Sequence, residues 1–387
     1  MSSSPVELNQ APLAEEPGYL AVARKMQLIH LGESAGVVYW QPAGLRLYEK
    51  LRSFIRDVHA RHGYQEVKTP ALVALPVFER SGHLGKYREN MFLANQSNDL
   101  AHEPDMQMYA LRPMSCPGHI EVYGSSRRSY RELPLALFEF GEVFRNEPSG
   151  SLQVLFRQRQ FCQDDSHVFV APEQVVQGVQ NYLEMSLAVY RELGFPNVEL
   201  SLSLRPAQRY GDDALWDKAE ESLREACRGA GVSWTEAAGG GAFYGPKLEL
   251  GVRDKLGRLW QMGVVQLDYV LPARFGLSYI GDDGAQHEPV LLHHAVLGSL
   301  ERMVGTLLES FGSNLPKSVH PYPLVLVPVS RRHLARVQEV ARGLRLQGQE
   351  CLVEVSDEPV SAKVGKWRVR GALEVRVLGD KELGQES

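Results

Sequence analysis

At 387 residues, with 44% hydrophobic and 23% charged residues, the chain has an ordinary globular composition and is long enough for two domains. It carries no run of about 18 apolar residues, which excludes a membrane-spanning helix. A net charge of −5 excludes a general nucleic-acid coat, though not a specific RNA partner met by a local basic face. The four cysteines, Cys116, Cys162, Cys227 and Cys351, are scattered and fit reduced thiols in a cytoplasm better than a disulfide framework. The polar, acidic N-terminus lacks the basic flank and apolar stretch of a secretory signal.

In chain order, residues 1–19 read as a disordered arm. A short helix is predicted over 20–30, then a Gly-rich turn and the apolar-aromatic run 37–40. Leu45, Leu51, Ile55 and Val58 recur at helical spacing and predict a helix over 45–62. Residues 64–73 look extended and include Pro70. Segments 133–145, 154–170 and 198–204 are β-rich, 173–193 and 213–230 have helical spacing, and 260–271 is another strand. Residues 292–311 are expected to form one helix. The fold class is therefore α+β, with a mostly antiparallel sheet across residues 20–311. The proline-bearing stretch 312–323 reads as a linker to a C-terminal α/β unit, 324–387. There the pattern changes to βαβαβ, which implies a small parallel sheet, and Lys and Arg outnumber Asp and Glu.

The stretch from 144 to 167 is the richest in chemistry. It holds FRNEPSG, a short connection, then RQRQFCQDDSH. A strand-loop-strand hairpin would bring Arg145, Glu147, Arg157 and Phe161 to one surface suited to a nucleotide and a small zwitterion. The arginines would neutralise phosphate or carboxylate, the ring would stack on a base, and the glutamate would accept an amino hydrogen bond. Cys116 in RPMSCPGH, His167 closing QDDSH and His293 in HHAVLGSLER would give a zinc ion one sulfur and two nitrogens, leaving a position open. Spacing alone favours a buried thiol and hydrogen-bonded histidines, and His119 and His294 compete as ligands. AFYGPKLEL supplies Tyr244 and Lys247, projected by a turn at Gly245-Pro246, and WQMGVVQLD supplies Gln261, Gln266 and Asp268. In GSLERM, the small Gly298 and Ser299 allow close approach and Arg302 is placed to stack on a base. Taken singly, these also read as core aromatics, strand polars and a solvated cation.

Taken together, SGHLGKYRENMF, RPMSCPGH, FRNEPSG, QDDSH, AFYGPK, WQMGVVQLD and HHAVLGSLER appear in an order that resembles the threonyl-tRNA synthetases, class II aminoacyl-tRNA ligases. The resemblance runs from about residue 20 to 380, with the three class II signatures at Pro70, 144–161 and 298–302. It implies ATP-dependent activation of L-threonine and transfer to tRNA(Thr) by a homodimer. Cys116, His167 and His293 would hold one Zn2+ per chain, which would bind the threonine amino and hydroxyl groups. Asp165 would accept the hydroxyl hydrogen bond, and Gln163, Tyr244 and Gln266 would line the amino-acid pocket. Arg145 would hold the carboxylate and α-phosphate, Glu147 would read the adenine amino group, and Phe161 and Arg302 would sandwich the ring. Arg157 would reach the terminal phosphate, Gln261 would complete the ATP site, and Mg2+ would bridge the phosphates. His83 would lie near the acceptor ribose and assist transfer.

The sequence departs from the family pattern at Leu152-Gln153-Val154, at Gln160, at Met262, expected to reshape the pocket, and at His294. No N-terminal editing domain is expected, and the C-terminal unit resembles an anticodon-binding domain without its last strand and helix. Two alternatives follow: a threonine-activating enzyme that loads another acceptor such as a carrier protein, or a non-catalytic RNA-binding paralogue.

Overall fold

Eight strands form the central sheet of the computed structural model, which describes residues 18–95 and 108–384. The predicted arm lies outside the described residues as far as residue 17. Gly18 and Tyr19 do not belong to it: they open helix α1 (Gly18–Lys25), where Tyr19 is buried and its N–H donates to Glu309. The helix predicted over 20–30 stops at Lys25, because Gln27 turns with φ 53 and Ile29–His30 pairs as a short strand with Tyr39–Trp40.

Helix α2 (Pro42–Arg61) starts on a proline, which costs nothing in a first turn, and ends before Gly63, whose φ is 81. Leu47, Leu51, Ile55 and Val58 turn to the core, while Leu45 points outward at 48% exposure. The strands of the main sheet are β1 (Gln65–Glu66), β2 (Leu135–Phe144), β3 (Gln160–Val170), β4 (Val198–Ser203), β5 (Thr235–Ala237), β6 (Lys247–Arg253), β7 (Leu259–Asp268) and β8 (Val290–Ala295). Their spatial order is β5-β4-β6-β7-β8-β3-β2-β1. Only the two edge pairs, β5 with β4 and β1 with β2, are parallel. Helix α3 (Cys116–Gly124) packs near one face. Helices α4 (Val175–Glu192) and α5 (Asp213–Gly229), with α2 and α6 (Leu300–Phe311), cover the other, where their apolar stripes meet the sheet in the largest core cluster.

Residues 292–311 correct the single-helix expectation. Strand β8 runs to Ala295 and α6 begins at Leu300. On β8, Val290, Leu292 and His294 face the helices, and Leu291, His293 and Ala295 face the opposite side. Both its edges are paired, by β7 and β3, so an all-buried strand leaves no backbone group unsatisfied. The break is made by Gly298, at φ 74, where a Cβ would meet the Met262 carbonyl oxygen at 2.4 Å. Ser299 then caps α6 by accepting from Arg302 N at 3.0 Å.

The C-terminal unit is a three-stranded parallel sheet, with β9 (Val325–Pro328) between β10 (Leu352–Val353) and β11 (Val375–Leu378). Helices α7 (Leu334–Leu346) and α8 (Val360–Val369) complete the βαβαβ order. Residues 312–323 are packed rather than loose. Leu315, Val319 and Tyr322 join the main core, and Tyr322 Oη donates to Met26 O at 2.6 Å.

Candidate active site

Side chains alternate along a strand, so one face of β3 carries Phe161, Gln163, Asp165 and His167. Register extends that face across the sheet. His167 lies opposite His293 on β8, His293 opposite Gln266 on β7, and Gln266 opposite Lys247 on β6. All of these except Phe161 floor a cleft of about 370 Å³, walled by Met114, Cys116 and Arg145 on one side and by residues 240–244 with Tyr87 on the other. Cys116 enters from the first turn of α3. Tyr244 is projected by the Gly245-Pro246 turn, where the Gln266 amide donates to Gly245 O at 3.0 Å.

The Cys116 sulfur and one nitrogen each of His167 and His293 lie within 4.8 Å of one another, and all three residues are buried. The rings' outer partners decide which nitrogens are bare. Asp268, acceptor-only when ionised, receives the His293 Nε2–H at 2.8 Å and also caps Val270 N and Leu271 N. His293 Nδ1 is therefore bare. On the other ring, His167 Nδ1 meets His119 Nδ1 at 2.8 Å, and His119 Nε2 faces Glu139 Oε1 at 3.3 Å, outside hydrogen-bond geometry. With the His119 proton turned toward the carboxylate, His167 donates from Nδ1 and its Nε2 is bare; these tautomers follow from the partners. The two bare nitrogens, His167 Nε2 and His293 Nδ1, stand 2.9 Å apart. They repel unless a proton or a metal ion lies between them, and burial with three neighbouring histidines pushes His167 well away from protonation. Burial, then Asp165 and Asp268, push the Cys116 thiol up, a cost that a bound cation would reverse. The residues fit a metal ion of nitrogen and sulfur preference, with one side open to the cleft.

The two rival histidines point elsewhere. His119 stands behind His167, while His294 faces the core and its Nε2 meets Tyr64 Oη at 2.9 Å. Met262 also differs from expectation. An irregular register near Met262 and Gly263 leaves Gln261 and Val264 on the cleft side and turns Met262 into the core, beneath the floor and against Thr306.

The cleft brings together Cys116, Arg145, Gln163, Asp165, His167, Tyr244, Gln261, Gln266 and His293. It does not include Glu147, Arg157, Phe161, Arg302 or His83 in its lining. Arg157 pairs with Glu147 at 2.8 Å. The Arg145 guanidinium lies 5.1 Å from the Phe161 ring, and Arg145 Nε donates to Pro113 O. Arg302 is turned to Phe156 O and Gln261 O. His83 is fully buried among Phe78, Tyr87 and Phe243, with Nδ1 on Ser81 Oγ at 2.7 Å. Burial pushes it down to about 4, so it is neutral near pH 7.

Sequence reasoning missed Asp164, whose carboxylate accepts from Val296 N at 2.8 Å and Leu297 N at 3.0 Å and so sets the turn before Gly298. The signal was present: two consecutive aspartates on a strand must face opposite sides, so one of them is inside the core. It also missed Glu249, which receives Lys247 at 2.6 Å, Ser203 at 2.8 Å and Gln261. No spacing rule pointed to that residue.

An antiparallel sheet with a nucleotide-sized cleft on one face and a helix-capping Gly-Ser turn at its rim defines a class II synthetase core. The family model for the tRNA synthetase class II core domain (G, H, P, S and T) matches residues 100–311. The threonine–tRNA ligase of Polynucleobacter asymbioticus is 40% identical over 370 residues, covering 95% of this chain and 57% of the relative. A crystal structure described as the RNA binding domain of threonyl-tRNA synthetase from Cryptosporidium parvum is 35% identical with a TM-score of 0.88, covering 94% of this chain and 90% of that one. The putative threonyl-tRNA synthetase ThrRS-1 of Aeropyrum pernix is 28% identical with a TM-score of 0.79, covering 94% and 86%. The chain belongs to the threonyl-tRNA synthetase family. It spans somewhat over half the length of the curated relatives it matches.

Proposed function

We propose that the chain activates L-threonine with ATP and transfers the threonyl group to tRNA(Thr). The observation that carries this is the Cys116, His167 and His293 cluster set in the same cleft floor as Asp165, Gln163 and Gln266. Zn2+ bound by that cluster would supply a Lewis-acid site for vicinal amino and hydroxyl groups, and Mg2+ bound with ATP would disperse phosphate charge. Asp165 sits two residues from His167 on the same face, placed to accept the threonine hydroxyl. Valine offers neither a chelating hydroxyl nor a donor to that carboxylate, so it leaves buried polar groups unpaired. Arg145 stands at the cleft wall, placed to hold the threonine carboxylate and the α-phosphate as they join. Glu147, Phe161, Arg157 and Arg302 surround the adjoining surface as an ATP site. Arg157 would leave Glu147 for the terminal phosphate, freeing that carboxylate for the adenine amino group. Buried, neutral His83 would act at the acceptor end during transfer.

Threonine-, serine- and valine-dependent ATP–pyrophosphate exchange tests this reading. Threonine should exceed valine by about 10³-fold or more, with serine between them; equal rates for threonine and valine refute the pocket assignment. Charging of tRNA by the same preparation tests the acceptor, and failure to charge any tRNA despite strong exchange would favour a carrier-type acceptor.

We also propose a homodimer in a cytoplasmic setting. Residues 68–70 and 72–74 line an apolar groove of about 490 Å³ with Val77, Phe78 and Pro117, and Leu72 is 51% exposed there. Sedimentation at micromolar concentration should give a dimer; a monomer refutes it. The four unpaired, buried cysteines suit a reducing compartment.

A further inference from the structure

The two candidate metal ligands on the sheet are supported from behind in different ways. His293 rests directly on a carboxylate, that of Asp268. His167 has no carboxylate in reach: Asp165 Oδ1 is 3.9 Å from its Nδ1, beyond a hydrogen bond. A second histidine fills the gap, because His119 Nδ1 lies 2.8 Å from His167 Nδ1 and His119 Nε2 turns to Glu139. Glu139 is itself fixed from two sides. Thr69 donates its N–H at 3.0 Å and its hydroxyl at 2.7 Å, and Arg112 donates at 2.8 Å. Arg112 is anchored in turn by the Glu142 carbonyl at 2.8 Å. All four side chains are buried, and none of them lines the cleft.

An imidazole can turn over about its second side-chain torsion and can carry its proton on either nitrogen, so a ligand ring needs a partner that selects one state. We propose that His119 and Glu139 are the positioning pair of the metal site. They fix the rotation and tautomer of His167 so that its bare Nε2 faces Cys116 and His293, and Arg112 and Thr69 tie the pair to the segment beside Pro70. The sheet register explains why a relay is used. Glu139 lies opposite Asp165 across β2 and β3, two pairs away from His167, and a side chain from α3 bridges the offset. This inference rests on the reading of Cys116, His167 and His293 as zinc ligands.

The test uses the full chain loaded with zinc and titrated with a chromophoric chelator, in the wild type and in His119→Ala, His119→Asn and Glu139→Gln. A Co2+-substituted absorption spectrum reports the ligand geometry independently of activity. His119→Ala and Glu139→Gln are expected to weaken zinc binding by about 10–100-fold and to alter the Co2+ bands. His119→Asn should recover most of the affinity, because its amide stands where Nδ1 stood. A folded His119→Ala protein that binds zinc within about threefold of wild type overturns the proposal. So does a His119→Asn protein as weak as the alanine variant, since that would assign His119 a filling role only. Should Glu139→Gln fail to fold, the two His119 variants decide alone. A wild-type chain that binds no zinc overturns the zinc reading itself, and this inference with it, and is told apart by the wild-type titration.

Discussion

The two faces of β3 carry similar residue types under opposite constraints. On the cleft face, Gln163, Asp165 and His167 line an open cleft, and their protein partners, Gly298 O, Ser115 N and the His119 and His293 rings, lie around its edge and floor. On the core face, Cys162, Asp164 and Ser166 are equally polar but already satisfied. Asp164 holds the Val296 and Leu297 amides, Cys162 N donates to Glu301, and Ser166 Oγ meets His59 Nε2 at 3.1 Å. Asp164 and Asp165 are neighbours in the chain, and burial pushes both carboxyls up. Their surroundings differ because the pleat separates them, one toward the cleft and one toward the scaffold. A buried polar residue is thus not by itself a sign of chemistry; what distinguishes the cleft face is that its side chains also border open space.

The comparison breaks most sharply at the metal cluster. Cys116→Ala should abolish bound metal and lower threonine-dependent exchange by about 10³-fold, since a Lewis-acid site contributes several kcal/mol. Its unfolding free energy should match that of metal-stripped wild type within about 1 kcal/mol, because the side chain lost is small. Elemental analysis that finds the metal retained would refute the cluster.

The core face should answer in the opposite sense. Asp164→Ala leaves two buried backbone N–H groups without an acceptor and should cost roughly 2–4 kcal/mol of stability, read as a lower denaturation midpoint at unchanged slope. Asp164→Asn, which keeps one accepting oxygen, should recover part of it. Activity should fall as well, because Gln163 bonds Gly298 O at 3.1 Å in the turn that Asp164 sets. An unchanged midpoint in Asp164→Ala would show that the turn is held by other contacts.

The difference between the faces also explains what could be read from the sequence. Alternation and helical spacing located α2, α4, α5 and the βαβαβ unit, since each has one apolar side. They failed over 292–311, where β8 is buried on both faces and carries no period to distinguish strand from helix. The cleft residues were legible through their resemblance to a family, not through spacing: Cys116, His167 and His293 are far apart in the chain and meet only through register. Asp164 and Glu139 escaped, and His119 was read only as a rival ligand, because their partners are protein groups that lie 132, 27 and 48 residues away. Met262, expected from the family pattern to reshape the pocket, lies in the core because the register is irregular beside it.

The remaining contrast concerns Glu301, which ties α6 to the core face of β3. It receives Cys162 N at 3.0 Å and Tyr48 Oη at 3.3 Å, and burial pushes its carboxyl from 4.5 up to about 7. An acid raised on folding binds more protons in the native state than in the unfolded one. Its contribution is therefore fully present below the unfolded value and is lost as pH rises toward the folded value, by at most ~3 kcal/mol in all. Asp164, raised from 3.8 to about 7, has the same sign and nearly the same window. Glu139 and Glu354, held down at about 2, have the opposite sign but titrate below that window. Buried His59 and His83, held down at about 4, and His167 and His294, also held down by burial, gain stability over the same window, so the expected result is a difference. Between about pH 5 and about pH 7.5 the stability of Glu301→Gln, which cannot ionise, should shift upward relative to that of metal-stripped wild type. Stripping the metal keeps proton release at the cluster out of the comparison. Denaturant curves at the two pH values give the slopes. Parallel slopes for the two proteins would mean that Glu301 remains ionised in the fold, and that the core face holds a charge there.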